Sequence, residues 1–290
     1  MSGPARALSA GYGEPGSGSG AGRGAGVTST SFNRRLDSDA ERLGSLLCVG
    51  LDPHPGRFEG SMADFCRRVI DDTIDAALAF KPNIAFFEAA GASGLADLQT
   101  VIDHIEGERI VILDAKRGDI GSTAVAYARA AFDQLGADAV TASPYLGGDS
   151  VRPFLAAPER GAFVLCHTSN PGAADFQELR VDGLPLYLEV ARKATEWDEH
   201  GNLGLVVGAT FPEEMAEVRA TAPDLPLLVP GIGAQGGDLE AAVAAGLDAR
   251  GRGMVVNSSR GIVFAADPGD EARRTRDAIN EARARAGASL

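Results

Sequence analysis

The sequence predicts a single α/β domain folded as a closed (β/α)8 TIM barrel with parallel strands, and three observations predict it. Eight short apolar runs alternate with longer amphipathic stretches. Nearly every run ends in a polar or reactive residue, and the turns after the seventh and eighth runs are rich in small, anion-friendly residues. Near-continuous apolar runs separated by helix-like segments mark parallel strands buried on both faces. A count of eight in one domain favours a closed barrel over an open, doubly wound sheet.

The runs occupy residues 46–51, 79–84, 110–113, 139–142, 163–166, 203–207, 225–229 and 253–256. Helix-like stretches fall between them, for example at 62–79, 122–135, 184–197, 212–220 and 237–245. The second run leads straight out of the helix before it. In chain order the runs end at or beside Asp52, Lys81, Asp114 with Lys116, Thr141 with Ser143, Thr168 with Ser169, Thr210, Gly231 with Gly233, and Ser259 with Arg260. Barrel active sites are built from the loops at the C-terminal strand ends. Polar residues at successive ends therefore predict one site assembled from the whole chain.

Residues 1–26 are rich in Gly, Ser and Ala and include Gly16-Ser-Gly-Ser-Gly20. Such a segment cannot bury enough apolar surface to order itself, so a disordered tail is expected there and the barrel domain over 27–290. Across the 290 residues, 44% apolar and 23% charged content is that of a soluble globular protein. A net charge of −13 argues against a general nucleic-acid surface or an anionic-membrane binder, while leaving room for a locally basic pocket. Cys48, Cys66 and Cys166 lie far apart without metal-ligand spacing and read as reduced, buried thiols. No apolar run approaches the roughly 20 residues needed to span a membrane, and no signal-peptide core opens the chain. A cytoplasmic protein is expected.

The segment Asp114-Ala-Lys116-Arg-Gly-Asp119-Ile120 follows the third run directly. Alternate residues of a strand share a face, so Asp114 and Lys116 are expected side by side. Paired charges at a buried strand end are costly to desolvate, so a purely structural role needs a special reason. Of 27 basic residues only Lys81, Lys116 and Lys193 are lysines. Arginine holds its proton too tightly to release it near neutral pH, whereas lysine can donate one, so Lys116 reads as retained for proton chemistry. An ion-pair network at the start of a helix also accommodates these residues. The chemical alternative is an ammonium flanked by carboxylates, titrating with its cluster and suited to protonating a carbanion or abstracting a proton beside a carbonyl.

Three further stretches carry binding chemistry. Pro230-Gly-Ile-Gly-Ala-Gln235-Gly-Gly-Asp238 lets backbone N–H groups approach a ligand closely, and a helix start follows it. Asn257-Ser-Ser259-Arg260-Gly261 adds a guanidinium suited to bidentate phosphate binding, and loops seven and eight are the usual phosphate site of such barrels. His167-Thr-Ser169-Asn-Pro-Gly is either a plain turn or a hydrogen-bonding edge for a polar heterocycle, with His167 itself read as a satisfied structural residue. Asp52 and Lys81 either close the barrel end as an ion pair or grip sugar hydroxyls. The segment 143–149 carries turn signals only. No histidine has metal-ligand partners at useful spacing, and no metal site is expected.

With these blocks in place, the chain resembles the orotidine 5′-phosphate decarboxylases, in their longer bacterial branch, over residues 32–266. The matching blocks are Cys48-Val-Gly-Leu-Asp-Pro53, Phe80-Lys-Pro-Asn83, Asp114-Ala-Lys-Arg-Gly-Asp-Ile120, Thr168-Ser-Asn-Pro-Gly172, Val229-Pro-Gly-Ile-Gly-Ala-Gln-Gly-Gly237 and Asn257-Ser-Ser-Arg-Gly-Ile262. The resemblance implies that Lys116 protonates pyrimidine C6 as carbon dioxide leaves, giving uridine 5′-phosphate. It implies that Asp114 sits beside the substrate carboxylate, and that Lys81 and Asp119 complete an alternating charge array. It further implies a homodimer in which Asp119, Ile120 and Thr123 cross into the neighbour's site. Asp52, Lys81, Asp119 and Thr123 would hold the ribose, Ser169 the pyrimidine edge, and Gln235 and Arg260, with Ser259 beside it, the phosphate. The family uses neither metal nor organic cofactor. His167 and Ser143 depart from the polar residues expected at their positions. The competing readings are a related sugar-phosphate barrel enzyme, namely a keto-sugar-phosphate decarboxylase, synthase or epimerase, and a non-catalytic nucleotide-binding protein.

Overall fold

The computed structural model describes residues 30–232 and 238–287. The 1–26 tail, Gly233 and Gln235 lie outside the described residues. Eight parallel strands close into a barrel: β1 Leu47–Leu51, β2 Ala79–Pro82, β3 Ile110–Arg117, β4 Ala139–Ala142, β5 Gly161–His167, β6 Leu203–Val207, β7 Leu227–Pro230 and β8 Met254–Ser258. Each strand pairs with its sequence neighbour, and β8 returns to pair with β1, Leu47 opposite Val256. The expected barrel is thus present.

The strands are buried because their apolar side chains face either the barrel interior or the surrounding helices. Every residue of β1, β2, β4 and β6 is buried. Burying a Phe or Leu side chain contributes roughly 2–3 kcal/mol. Around the barrel run α1 Phe32–Leu43, α2 Met62–Thr73, α3 Ile84–Glu88, α4 Gly91–Ile105, α5 Gly121–Arg129, α6 Gly148–Leu155, α7 Leu186–Trp197, α8 Pro212–Thr221, α9 Leu239–Gly246, α10 Arg260–Val263 and α11 Pro268–Arg285. Helix α1 closes the N-terminal end: the Phe32 ring meets Phe163 edge-on at 6.0 Å, and it packs where a Cβ on Gly161 would stand only 2.4 Å away.

Several expected boundaries move, four of them for an identifiable local reason. The third strand continues through the charged residues to Arg117, which an apolar pattern cannot register. The 62–79 stretch is helical only to Thr73; Ala76 and Ala77 turn back on Thr73, and Leu78 already pairs with β1. The 122–135 stretch begins at Gly121 and ends in a wider π turn, Ala130–Gln134. Ahead of α7, Leu184–Pro185 pairs antiparallel with Arg180–Val181 as a short ribbon.

Candidate active site

At the C-terminal ends of the strands the loops enclose a cavity of about 480 Å³. Seven of the residues given site roles from the sequence line it: Asp52, Lys81, Asp114, Lys116, Ser169, Ser259 and Arg260. They arrive from β1, β2, β3, β5 and β8, so barrel closure brings together side chains that are distant in the chain. A second cavity of about 380 Å³, beside Arg57, Phe58, Phe264 and Pro268, receives none of them.

The charged centre is Asp114. Lys81 Nζ donates to its Oδ2 at 2.9 Å, and Lys116 Nζ donates to its Oδ1 at 2.5 Å. Thr141 Oγ1 donates to the same Oδ1 at 3.0 Å. Burial alone would raise the Asp114 pKa, but the charges and hydrogen bonds of Lys81 and Lys116 outweigh it, and the carboxyl is held well below the usual carboxylate range. Lys81 is itself buried, which opposes its charge; Asp114 and Asp52 overcome that, and its pKa lies above the ordinary lysine value. Both members of this pair are therefore ionised at neutral pH. The Lys116 side chain is 52% exposed, so its ammonium stands at the cavity rather than beneath it.

The expected neighbourhood of Asp114 and Lys116 is present, but not through regular strand alternation. The register between β3 and β4 shifts between Leu113 and Arg117, and Lys116 has a left-handed φ of 47°. That conformation costs a non-glycine residue about 1–2 kcal/mol. The N–H groups of Ala115 and Lys116 both donate to Thr141 Oγ1, at 3.0 and 2.9 Å, and such bonds offset strain of this size.

The rest of the Asp-x-Lys-x-x-Asp block leaves this cavity. Asp119 is half-buried and accepts a hydrogen bond from the Ile120 N–H at 2.8 Å; among the described residues no cation pairs with it. Ile120 is 57% exposed and Thr123 is exposed, on the loop and first turn after β3. None of the three lines the cavity of its own chain. The array within one chain is Lys81–Asp114–Lys116, without Asp119.

Opposite the lysines lie the loops after β7 and β8. Gly231, with φ 100°, Ile232, Ser259 and Arg260 form that wall. A Cβ on Gly50 would stand 2.7 Å from Ser259 Cβ and 3.1 Å from Asn257 Oδ1, so a glycine is required for this wall to close on β1. The expected helix start is α9, whose Glu240 and Ala241 N–H groups are already taken by the Asp238 carboxylate at 3.0 and 3.2 Å. Among the described residues, the buried Asp52 Oδ1, Asn257 Oδ1 and Ser259 Oγ have no hydrogen-bond partner. All three residues line the cavity. Buried polar atoms are rarely left unpaired, so this cluster points to a polar ligand.

The sequence placed Thr141 among the strand-end residues and Asn257 in the stretch after the eighth run without giving either a contact of its own, and it gave no role to Asn83 or Gln177; all four also line the cavity. Thr141 carried a signal, being the one hydroxyl in an otherwise apolar β4. Gln177 carried none: its Oε1 accepts from the Thr168 N–H at 2.8 Å and its Nε2 donates to Thr168 Oγ1 at 2.9 Å, across nine residues. His167 departs from the satisfied residue expected. It is fully buried between the Tyr187 and Phe211 rings, 4.6 and 4.7 Å away, with Glu178 at 3.7 Å, too far for a hydrogen bond. Neither ring nitrogen has a hydrogen-bond partner among the described residues, and burial keeps its pKa below the ordinary value despite Glu214 and Glu178.

The three cysteines are free and buried, and burial pushes the Cys48 and Cys66 thiols up to about 12, far from the thiolate form of a nucleophile. Among the described residues no cluster of three or more His, Cys, Asp or Glu side chains could hold a metal ion. No helix there is long and apolar enough to cross a membrane.

Comparison with known proteins follows the same lines. The profile of the orotidine 5′-phosphate decarboxylase / HUMPS family matches residues 45–275. An orotidine 5′-phosphate decarboxylase of Cupriavidus taiwanensis is 51% identical over 271 residues, covering 87% of this chain and 99% of that protein. Among solved structures, the OMP decarboxylase of Leishmania donovani is 50% identical with a TM-score of 0.82, over 88% of this chain and 99% of that one. The longer UMP synthase of the same organism is 51% identical with a TM-score of 0.84; the match covers 88% of this chain but spans only 57% of that one.

Proposed function

The chain belongs to the orotidine 5′-phosphate decarboxylase / HUMPS family, and from that membership we infer that it converts orotidine 5′-phosphate to uridine 5′-phosphate and carbon dioxide. The observation that carries the reading is the Lys116 ammonium, held 2.5 Å from an ionised Asp114 at a cavity whose other wall ends in Ser259 and Arg260.

The chemistry follows from that placement. Breaking the bond between C6 and the carboxylate leaves an electron pair on C6 that the ring does not delocalise. A cation preorganised beside C6 favours that transition state over the ground state. Lys116 supplies this charge and then its proton, which completes the C6–H bond of the product. Asp114 fixes the ammonium in place and, being ionised, faces the substrate carboxylate with like charge. Lys81 keeps Asp114 ionised. Asp52 and Lys81 hold the ribose, Ser169 the pyrimidine edge, and Arg260, Ser259 and Gln235 the phosphate. Binding energy gathered at the remote phosphate organises the reacting end.

Asp119, Ile120 and Thr123 serve the site of a second subunit in a homodimer. Ile120 and Thr123 are exposed and half-buried Asp119 precedes them, all three outside their own cavity, with exposed Val125 on the same helix as Thr123, and this supports the arrangement. The activity needs no metal or organic cofactor in this reading, since Lys116 provides both the charge and the proton. A catalytic domain over 27–290, an N-terminal tail over 1–26 and a cytoplasmic location complete it.

The test is the fall in absorbance when the protein is incubated with orotidine 5′-phosphate. Lys116→Arg keeps the charge but not a transferable proton, and general-acid catalysis of this kind is worth about 10²–10⁴-fold. Turnover is therefore expected to drop at least about a hundredfold; near-parental activity in that variant would remove Lys116 as the proton donor.

A further inference from the structure

We propose that Thr141 is the positioning residue for the acid–ammonium pair: its one hydroxyl fixes both the Asp114 carboxylate and the left-handed turn that carries Lys116. The proposal rests on the reading of Lys116 as the proton donor and deepens it by assigning what holds that lysine in place.

A hydroxyl offers one donor and two acceptor lone pairs. Thr141 Oγ1 uses all three on one segment. It accepts from the Ala115 N–H at 3.0 Å and the Lys116 N–H at 2.9 Å, and it donates to Asp114 Oδ1 at 3.0 Å. The residue is 2% exposed, so water does not substitute for these bonds. It stands on β4, beside the point where the β3–β4 register shifts between Leu113 and Arg117. The two N–H groups it binds have lost their places in a regular ladder at that shift. Lys116, one of them, holds a φ of 47° that a non-glycine residue adopts only when its surroundings require it.

The same hydroxyl thus sets the backbone from which the lysine side chain springs and the carboxylate oxygen that the lysine grips. Asp114 Oδ1 takes bonds from Thr141 and Lys116 together, while Oδ2 takes Lys81. With Oδ1 anchored from two directions, rotation of the carboxylate away from Lys116 breaks the Thr141 bond as well. Active-site groups must be held within a fraction of an ångström, so loss of such an anchor acts on the chemical step more than on binding.

Thr141→Val keeps the shape and removes the hydroxyl; Thr141→Ser keeps the hydroxyl and removes the methyl group. The valine variant is expected to lose at least tenfold in kcat on orotidine 5′-phosphate. Its affinity for uridine 5′-phosphate should stay within about threefold of the parent's, and the serine variant should recover most of the kcat. Valine and serine variants impaired alike, or a valine variant with unchanged kcat, would overturn the assignment. Hydrogen exchange at the Ala115 and Lys116 amides, read by NMR, tests the anchor independently of any turnover. Faster exchange at both in the valine variant, restored in the serine variant, supports it; unchanged exchange refutes it. A parent protein that does not decarboxylate orotidine 5′-phosphate would sink the functional reading, while the exchange measurement still decides the anchor.

Discussion

Replacing Lys81 by methionine keeps the length and most of the apolar stem of a buried side chain while deleting its ammonium. The parent pair has Nζ and Oδ2 at 2.9 Å, with side-chain exposures of 6% for Lys81 and 11% for Asp114. At that separation and an effective dielectric of about 20, Coulomb's law gives roughly 6 kcal/mol of attraction. Relief of the cost of desolvating the lysine returns part of this, and breaking a buried pair typically leaves a net loss of about 3–5 kcal/mol. Lys116 remains beside Asp114, but it is 52% exposed and its attraction is screened. At roughly 2–3 °C per kcal/mol for a chain of this size, Tm should fall by about 6–15 °C at neutral pH, as read by scanning fluorimetry.

The pH dependence sharpens this expectation. Folded Asp114 titrates below its unfolded value of about 3.9, despite its burial, because Lys81 and Lys116 oppose protonation. Its contribution is complete above that pH and is lost as the pH falls through the folded value. Lys81 titrates above its unfolded value of about 10.4, so its contribution is complete below that pH and is lost as the pH rises through the folded value. The deficit of Lys81→Met should therefore be constant between about pH 5 and 9 and narrow below about pH 4. A fall in Tm of less than about 2 °C at pH 7, or a deficit unchanged down to about pH 3, would falsify the reasoning that Lys81 and Asp114 form an energetically coupled, ionised pair.

Mixing inactive Lys116→Ala and Asp119→Asn proteins should regenerate activity in heterodimers, because one of the two sites then receives intact groups from both subunits; no recovery after subunit exchange would count against a cross-interface Asp119. Gly50→Ala places a methyl group 2.7 Å from Ser259 Cβ, so the phosphate wall must shift, and KM should rise at least several-fold while the circular dichroism spectrum stays that of the parent. An unchanged KM would show that the wall tolerates the displacement. Turnover of orotidine 5′-phosphate should persist undiminished in excess chelator, whereas loss of activity restored by a divalent metal would favour the metal-dependent sugar-phosphate relatives.

Much of this molecule is legible along the chain. The eight strands follow from short apolar runs, because a strand covered on both faces must be apolar throughout and charges can enter only at its ends. The same rule locates the chemistry: Asp52, Lys81, Asp114, Lys116, Ser169, Ser259 and Arg260 stand at strand ends, and closing the barrel makes those ends neighbours. The scarcity of lysine carries real information too, since two of the three, Lys81 and Lys116, meet on one carboxylate.

Other features exist only once the barrel has closed, because they depend on pairs far apart in sequence. Thr141 reads as a polar residue near a strand end; only the β3–β4 register shift brings its hydroxyl beneath Ala115 and Lys116. Alternation placed Asp114 and Lys116 on one face, but the contact is made through a left-handed backbone that no apolar pattern encodes. The departure of Asp119 from its own cavity, and the unpaired oxygens of Asp52, Asn257 and Ser259, are likewise properties of the closed ring. Residue type and local spacing determine which groups can ionise, donate or pack. Which of them meet, at what distance and with what burial, is decided by strand register and barrel closure.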